Sequence, residues 1–238
     1  MFTFNGETIQ GQRVGQDSIF VKDFARIYLK QDADELFEYL RDDLPWINRN
    51  QSFMKYRGKP IARTKSFLTA RRGVIHKYGY TGFQWKSMRN YACYKDYPRV
   101  KKIVADLNAK LALPGVTGFN HVIATMYEDS KDAIGYHSDK THSWALGSSV
   151  AILSLGGTRD FCMQGENIQV FKCEAGDMFI LGWKDNQTHK HCIPVSKIKV
   201  NPRISLCFRN IKECFTLEEI EKKIAASERA SERRKTKS

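Results

Sequence analysis

Apolar positions along the chain change period once, from helical spacing to short runs. The first helical signal follows Asp32-Ala33-Asp34-Glu35, which reads as a capping box with Asp32 at the N-cap and Glu35 at N3. Leu36, Phe37 and Leu40 then fall on one face, and Pro45 ends the helix. A second helix is predicted from Asp96-Tyr97-Pro98, with Pro98 near N1. Val100, Ile103, Val104, Leu107 and Leu111 recur at helical spacing up to Pro114-Gly115 and read as core.

From Phe119 onward the pattern is that of strands. His121 to Tyr127 is one, and Val150 to Leu155 is a near-continuous apolar run, as expected for a strand covered on both faces. Arg159 to Met163, Ile168 to Phe171, Met178 to Leu181 and Ile204 to Phe208 follow, with turns at Gly156-Gly157, Gly165 and Gly176-Asp177. Ser18 to Phe24 reads as a further short strand and turn. Many short strands at close spacing predict two packed sheets or a barrel. The expected fold is α+β, a double-stranded β-helix (jelly roll) with supporting helices against one side. Residues 1–16, polar and Gly-containing, read as a flexible N-terminus. Beyond Glu213 a charged helix is expected from Leu217 to about Ala226, then a disordered tail. The tail's Arg233-Arg234-Lys235-Thr236-Lys237 reads as a nuclear address, a nucleic-acid contact or a solvated end.

Composition narrows the class. Of the 238 residues 42% are hydrophobic and 12% aromatic, which fits a globular protein. No run of 18 apolar residues occurs, so no membrane span is expected. The N-terminus lacks the layout of a secretion signal. The six cysteines form no C-x-x-C pair and read as reduced thiols of a nuclear or cytoplasmic protein.

The net charge of +13 suggests a polyanionic partner, and its distribution selects the kind. From Leu44 to Lys95 there is no Asp or Glu, while twelve Lys and Arg are interleaved with ten aromatics. Mixed basic and aromatic side chains suit phosphates and unstacked bases. A membrane-binding helix would show apolar residues at helical spacing, which this stretch does not.

The chemistry gathers at His137-Ser138-Asp139. In extended backbone, residues two apart point the same way, so one imidazole and one carboxylate share a face. An H-x-D triplet alone recurs by chance, but the neighbours here add weight. Ile134-Gly135-Tyr136 precedes it and lets the backbone turn tightly. His191 supplies the best third ligand, with His189 left open as an alternative and His142 too near His137 in a loop. Two histidines and one carboxylate form a facial triad for non-haem Fe(II), leaving positions for a co-substrate and dioxygen. Along Arg203 to Arg209, residues 203, 205, 207 and 209 share one face, and Leu206 and Phe208 point the other way. Inward arginines need an anion, and a dicarboxylate such as 2-oxoglutarate fits. The two arginines lie roughly 20 Å apart on an ideal strand, so Arg203 is the stronger anchor.

Several elements together resemble the AlkB family of Fe(II)/2-oxoglutarate-dependent nucleic-acid dioxygenases, with its duplex-DNA repair branch the nearest. They are Tyr127-x9-His137-x-Asp139, Gly157-Thr-Arg-Asp-Phe161, Gly176-Asp177-Met178, His191-x-Ile-Pro194 and Arg203-x5-Arg209, with SIFVKDF and Leu44-Pro45-Trp46 near the start. The resemblance spans roughly residues 17–212. It implies a dioxygenase domain over 17–212, containing a nucleotide-recognition lid at 44–95 and a jelly-roll core at 116–212, with residues 213–238 as a charged helix and tail. It implies that Tyr127 hydrogen-bonds the co-substrate, that Arg203 binds its distal carboxylate and that Arg209 supports its near end. Thr125, where the family usually has Asn, and Ser205 join the co-substrate set. Tyr78 and Tyr80 would stack on a flipped base, and Phe53 would fill the gap it leaves.

Relatives that read methylated adenine or cytosine carry a carboxylate two residues beyond the metal Asp. Here that position is Thr141, after Lys140, which suits a phosphate or a base carbonyl. The expected activity is oxidative demethylation of N-alkylated bases in DNA, favoured over RNA, by a monomer, with release of formaldehyde. A nucleobase C-methyl hydroxylase or a protein hydroxylase on the same fold is the alternative. A binding module without catalysis is a third reading, weakened because all three ligand types are present.

Overall fold

The strands that build the site are β1 (Gln12–Val14), β2 (Ser18–Val21), β3 (Thr64–Thr69), β4 (Ala92–Cys93), β5 (His121–Tyr127), β6 (Ile134–His137), β7 (Val150–Gly156), β8 (Arg159–Gln164), β9 (Ile168–Cys173), β10 (Met178–Leu181), β11 (Lys190–Ile193) and β12 (Arg203–Arg209). The helices are α1 (Phe24–Ile27), α2 (Ala33–Asp43), α3 (Pro98–Lys110), α4 (Trp183–Thr188) and α5 (Leu217–Lys235). This computed structural model describes residues 1–47, 55–56, 59–60, 63–76, 92–115, 118–212 and 214–235.

Strands β5 to β12 divide between two sheets. One has the order β1-β2-β10-β7-β12-β5-β3-β4, and the other β6-β11-β8-β9. All pairings within them are antiparallel except β3 with β4. Sequence neighbours such as β5 and β6 lie in different sheets, which is the double-stranded β-helix expected from the strand pattern.

The large sheet is buried on both faces, and the two faces do different work. On one, Val122, Ala124, Leu153, Leu206 and Phe208 pack against Leu36 and Leu40 of α2 and Val100, Ile103 and Leu107 of α3. On the other, Ile123, Tyr127, Ile152 and Phe179 meet Phe161, Phe171 and Ile193 of the small sheet. Alternation along β12 therefore sends Leu206 and Phe208 to the helices and the odd-numbered residues into the barrel.

Local chemistry explains several of the motifs. Asp32 caps α2 by accepting from the amides of Asp34 and Glu35 at 3.0 and 2.9 Å. Glu35 does not complete the box and instead pairs with Arg99 of α3 at 3.0 Å. The Trp46 indole donates to the Leu40 and Arg41 carbonyls, satisfying an orphan of the last turn of α2 at Arg41. Asp177, buried in the Gly176-Asp177-Met178 turn, accepts from the amides of Asp23 and Glu174 and from Lys22 Nζ. That carboxylate joins the SIFVKDF segment to the turn before β10.

Four expectations need correction. Residues 1–16 are not a loose end: Phe2, Phe4, Ile9 and Val14 are buried, Thr3–Phe4 pairs with Leu111–Ala112, and β1 edges the large sheet. Alternate apolar residues were enough to anchor a polar-looking segment. The second helix stops at Lys110, because Leu111 turns into that small sheet. The C-terminal helix runs on to Lys235, since Ala, Glu, Lys and Arg are strong helix formers even without an apolar face. Gly135 lies in strand β6, at an irregular pairing with β11, and not in a tight turn. No helix among the described residues is long and apolar enough to cross a membrane.

Replacing Asp177 by Ala leaves two half-buried amides without their acceptor and Lys22 with Glu174 alone. The expected loss is about 2–4 kcal/mol, read from the urea midpoint of unfolding.

Candidate active site

His137 ends β6, Asp139 lies two residues beyond it, and His191 sits in β11 directly opposite His137. The ligand atoms of these three side chains all lie within 4.8 Å of one another. His137 Nε2 is 3.6 Å from Asp139 Oδ1, and the two imidazole centroids are 4.3 Å apart. His189, the alternative, is outside the cluster: its Nδ1 contacts Thr188 Oγ1 at 2.8 Å and faces Asp185 at 3.9 Å. His142 is exposed.

Protonation states favour a cation. Burial pushes the pKa of His191 down to about 4, against the pull of Asp139 and with help from His137 and Arg209, so its ring is neutral near pH 7. Its Nδ1 is buried with no hydrogen-bond partner among the described residues. His137 Nδ1 lies 2.9 Å from the Gly135 carbonyl. The tautomer donating there leaves Nε2 as the ligand atom. Burial alone would raise the pKa of Asp139, but Arg209, His137 and His191 hold its carboxyl well below the usual range. The neutral His191 ring, the His137 imidazole and one carboxylate are a donor set that fits a divalent first-row metal such as Fe(II).

Asp139 is positioned from two sides. Arg209 Nη2 donates to its Oδ2 at 2.7 Å. Asn186 of α4 grips its backbone, with Oδ1 accepting from the Asp139 amide at 2.8 Å and Nδ2 donating to the carbonyl at 2.9 Å. Helix α4 is in turn capped by Asp17, which accepts from the Lys184 and Asp185 amides. Asp185 returns the contact by accepting from the Gln16 and Asp17 amides. Gly15, at φ +57°, lies so close that a Cβ there would meet Asp185 Oδ1 at 2.3 Å.

The other end of the interior carries Arg203, which is 1% exposed. Its Nη2 donates to Ser154 Oγ at 2.8 Å, and Nε and Nη1 have no hydrogen-bond partner among the described residues. A buried guanidinium with two open donors suits an incoming carboxylate. Tyr127, opposite Arg203 in register, lies beneath the guanidiniums of Arg63, Arg159 and Arg203, at 5.9, 5.5 and 5.2 Å from its ring centre. Arg159 donates to the carbonyls of Asp129, Asp132 and Pro194 and so ties the loop after β5 to the end of β11.

Thr125 and Ser205 face each other between β5 and β12, on the same interior side as Tyr127 and Arg203. Lys140 is exposed and Thr141 half-buried, its carbonyl accepting from the Trp144 amide. Phe53, Tyr78 and Tyr80 lie outside the described residues. Sequence reasoning passed over Ser154, Asn186, Arg63 and Lys65. Ser154 is a lone hydroxyl in an apolar run, a signal that alternation could have exposed. Asn186 sits in a six-residue helix with no period to read.

The model of the 2OG-Fe(II) oxygenase superfamily matches residues 20–209. The chain belongs to this superfamily. It is 26% identical over 204 residues to the DNA oxidative demethylase ALKBH2 of Bos taurus, covering 79% of this chain and 68% of that one. It is 24% identical over 193 residues to the alpha-ketoglutarate-dependent dioxygenase alkB homolog 3 of Mus musculus, covering 76% and 62%. The AlkB resemblance read from the motifs is borne out by these relatives. The solved structure of OsALKBH1 matches with a TM-score of 0.57 at 16% identity, over 84% of this chain and 100% of that one, which establishes a shared fold. Membership makes the chain a dioxygenase whose cofactors are Fe(II), 2-oxoglutarate and dioxygen.

Two outcomes are expected. Asn186→Ala should weaken metal binding about 10- to 100-fold, as loss of a group that orients a ligand does, in a titration of the apoprotein with Fe(II) under nitrogen. In the metal-free protein, acidification should destabilise the fold. The unfolded chain takes up a proton on His191 near pH 6.5, whereas the folded chain resists until about pH 4. Stability therefore falls through that window, by about 3 kcal/mol at its foot. Asp139 adds to the loss only at lower pH, because its folded-state pKa is depressed. Urea denaturation of the apoprotein across the window measures the slope, and His191→Gln should flatten it.

Proposed function

We propose that the chain oxidatively removes N-methyl groups from nucleic-acid bases, acting on DNA ahead of RNA. One observation carries this reading. The acid-free basic and aromatic stretch from Leu44 to Lys95 enters the barrel wall as β3, hydrogen-bonded along β5. A segment suited to phosphates and bases thus runs directly into the oxygenase interior. The name of the ALKBH2 relatives, DNA oxidative demethylase, supports the choice of DNA. We take residues 17–212 as the dioxygenase domain, with 44–95 as its nucleotide-recognition lid and 213–238 as a charged extension. Six free thiols fit a reducing compartment, the nucleus or cytoplasm.

In this reading His137, Asp139 and His191 hold the iron. Fe(II), with 2-oxoglutarate and dioxygen, supplies the oxidation of a C–H bond, and the co-substrate leaves as succinate and CO2. Arg203 takes the distal carboxylate of the co-substrate on its two open donors, and Ser154 fixes the guanidinium plane. Tyr127, Thr125 and Ser205 offer hydroxyls along the same face. Arg209 holds Asp139 ionised and would also support the co-substrate's near end. The stacking residues Tyr78 and Tyr80, and Phe53 in the vacated gap, would offset an extrusion cost of a few kcal/mol. Lys140 and Thr141 would meet the backbone or base edge beside Asp139. Hydroxylation of an N-methyl carbon ends in loss of formaldehyde and a restored base.

The test is mass spectrometry of an oligonucleotide carrying 3-methylcytosine after incubation with protein, Fe(II), 2-oxoglutarate and air. Loss of the methyl group is expected with wild type and not with His137→Ala. Arg203→Met should raise the KM for 2-oxoglutarate at least about tenfold, as loss of a charge-assisted hydrogen bond implies. Succinate formation without loss of methyl from any N-methylated base, but with oxygen added to a C-methyl group or a peptide, would replace the demethylase reading by a hydroxylase one.

A further inference from the structure

The two imidazoles of the triad are oriented by different means. His137 has a hydrogen-bond contact, its Nδ1 lying 2.9 Å from the Gly135 carbonyl. His191 has no such contact, since its Nδ1 is buried without a hydrogen-bond partner among the described residues. A metal-bound imidazole usually gives its second ring nitrogen to an acceptor, which fixes the plane of the ring. Without one, the torsion that turns a histidine ring has broad minima, and the ligand atom swings with it.

A flat contact takes the place of that hydrogen bond. The ring of Phe161 lies parallel to the His191 imidazole, with 14° between the planes and 5.5 Å between the centroids. Strand pairing sets this up. Met163 of β8 is directly opposite His191 of β11. Phe161, two residues earlier, shares the interior face with Met163. Phe161 is thus the diagonal neighbour of His191, a separation that aromatic side chains span. From the opposite flank, His137 meets the same imidazole at 4.3 Å and 51°.

Phe161 can hold a plane because it is itself held. It is 3% exposed, and Phe179 of β10 packs on it at 4.4 Å and 30°. Phe171 of β9 meets Phe179 edge-on at 5.3 Å. Phe20 of β2 touches Phe171 and Phe179 at 5.4 and 6.2 Å. These four phenylalanines come from four strands and from both sheets. They form a file of rings that runs from the SIFVKDF segment to the imidazole, so Phe161 turns only if its neighbours move.

We propose that Phe161 is a positioning residue of the metal centre, setting the plane of the His191 imidazole by stacking where that ring lacks a hydrogen bond. It acts through His191. This rests on His137, Asp139 and His191 being the iron ligands.

The experiment compares Phe161→Leu with Phe171→Leu by titrating each apoprotein with Fe(II) under nitrogen. Phe171 is the control because it is directly opposite Phe161 in register and in the same interior cluster, while its ring contacts are with Phe20 and Phe179. Both variants should lower the urea midpoint. Phe161→Leu is expected to weaken Fe(II) binding about 10-fold or more, and Phe171→Leu less than about twofold. In metal-free wild type, relaxation of the isotope-labelled His191 ring should show an order parameter near that of rigid backbone, about 0.85. Equal losses of Fe(II) affinity in the two variants overturn the proposal and leave the metal site standing. A mobile His191 ring in metal-free wild type does the same, even where Phe161→Leu fails to fold. Wild type that binds no Fe(II) would overturn the metal-site reading and the proposal together.

Discussion

A carboxylate removed from water stays ionised only where cations stand beside it, and the interior of this barrel is arranged around that requirement at Asp139. Its charge is balanced by Arg209 at 2.7 Å and by whatever cation the two imidazoles share with it. Arg209 in turn is fixed by being the last residue of β12, hydrogen-bonded between β5 and β7. The backbone of Asp139 is fixed by Asn186, and Asn186 by a helix capped from the chain's opening segment. Removal of any of these supports exposes the same cost, an unbalanced buried charge.

One strand serves both ends of the site. Arg209 lies six positions beyond Arg203, roughly 20 Å of extended chain. The odd-numbered positions of β12 therefore present a cation to Asp139 at one end and a cation with two open donors at the other. Ser205 and Cys207 lie between them and bring no net charge to the middle. The difference between the arginines is in their partners. Arg209 has an internal acid, while Arg203 has a serine hydroxyl and two open donors. Buried in this state, Arg203 is suited to an anion, which is why the proposed function seats the co-substrate carboxylate there.

Much of this was legible in the sequence because it is periodic or local. The jelly roll follows from short apolar runs broken by glycine turns, the facial pair from residues two apart, and the arginine face from alternation along 203–209. The choice of His191 over His189 was not settled by spacing, since both fall on one face of an extended segment. It took the pairing of β6 with β11 to set His191 against His137. Asn186 and Asp17 act through contacts more than 40 and 160 residues away in sequence, which no local pattern encodes. The opening segment looked loose because its polar residues outnumber its apolar ones. Yet four of the apolar ones, Phe2, Phe4, Ile9 and Val14, are buried. Lys65 was read as one more charge in a basic stretch, although it is the residue whose alternation with Phe67 places it inside.

The choice of lysine at position 65 and arginine at 203 has its own logic. Guanidinium cannot lose its proton in a protein, whereas a buried ammonium can. Arg203 is a permanent charge, and Arg159, a cation that bears on it, is turned to backbone carbonyls. At position 65 two guanidiniums already bear on the site. A third permanent cation there would carry its full repulsion whenever the pocket lacked an anion. A lysine whose pKa is free to fall relieves that repulsion while keeping N–H donors in place.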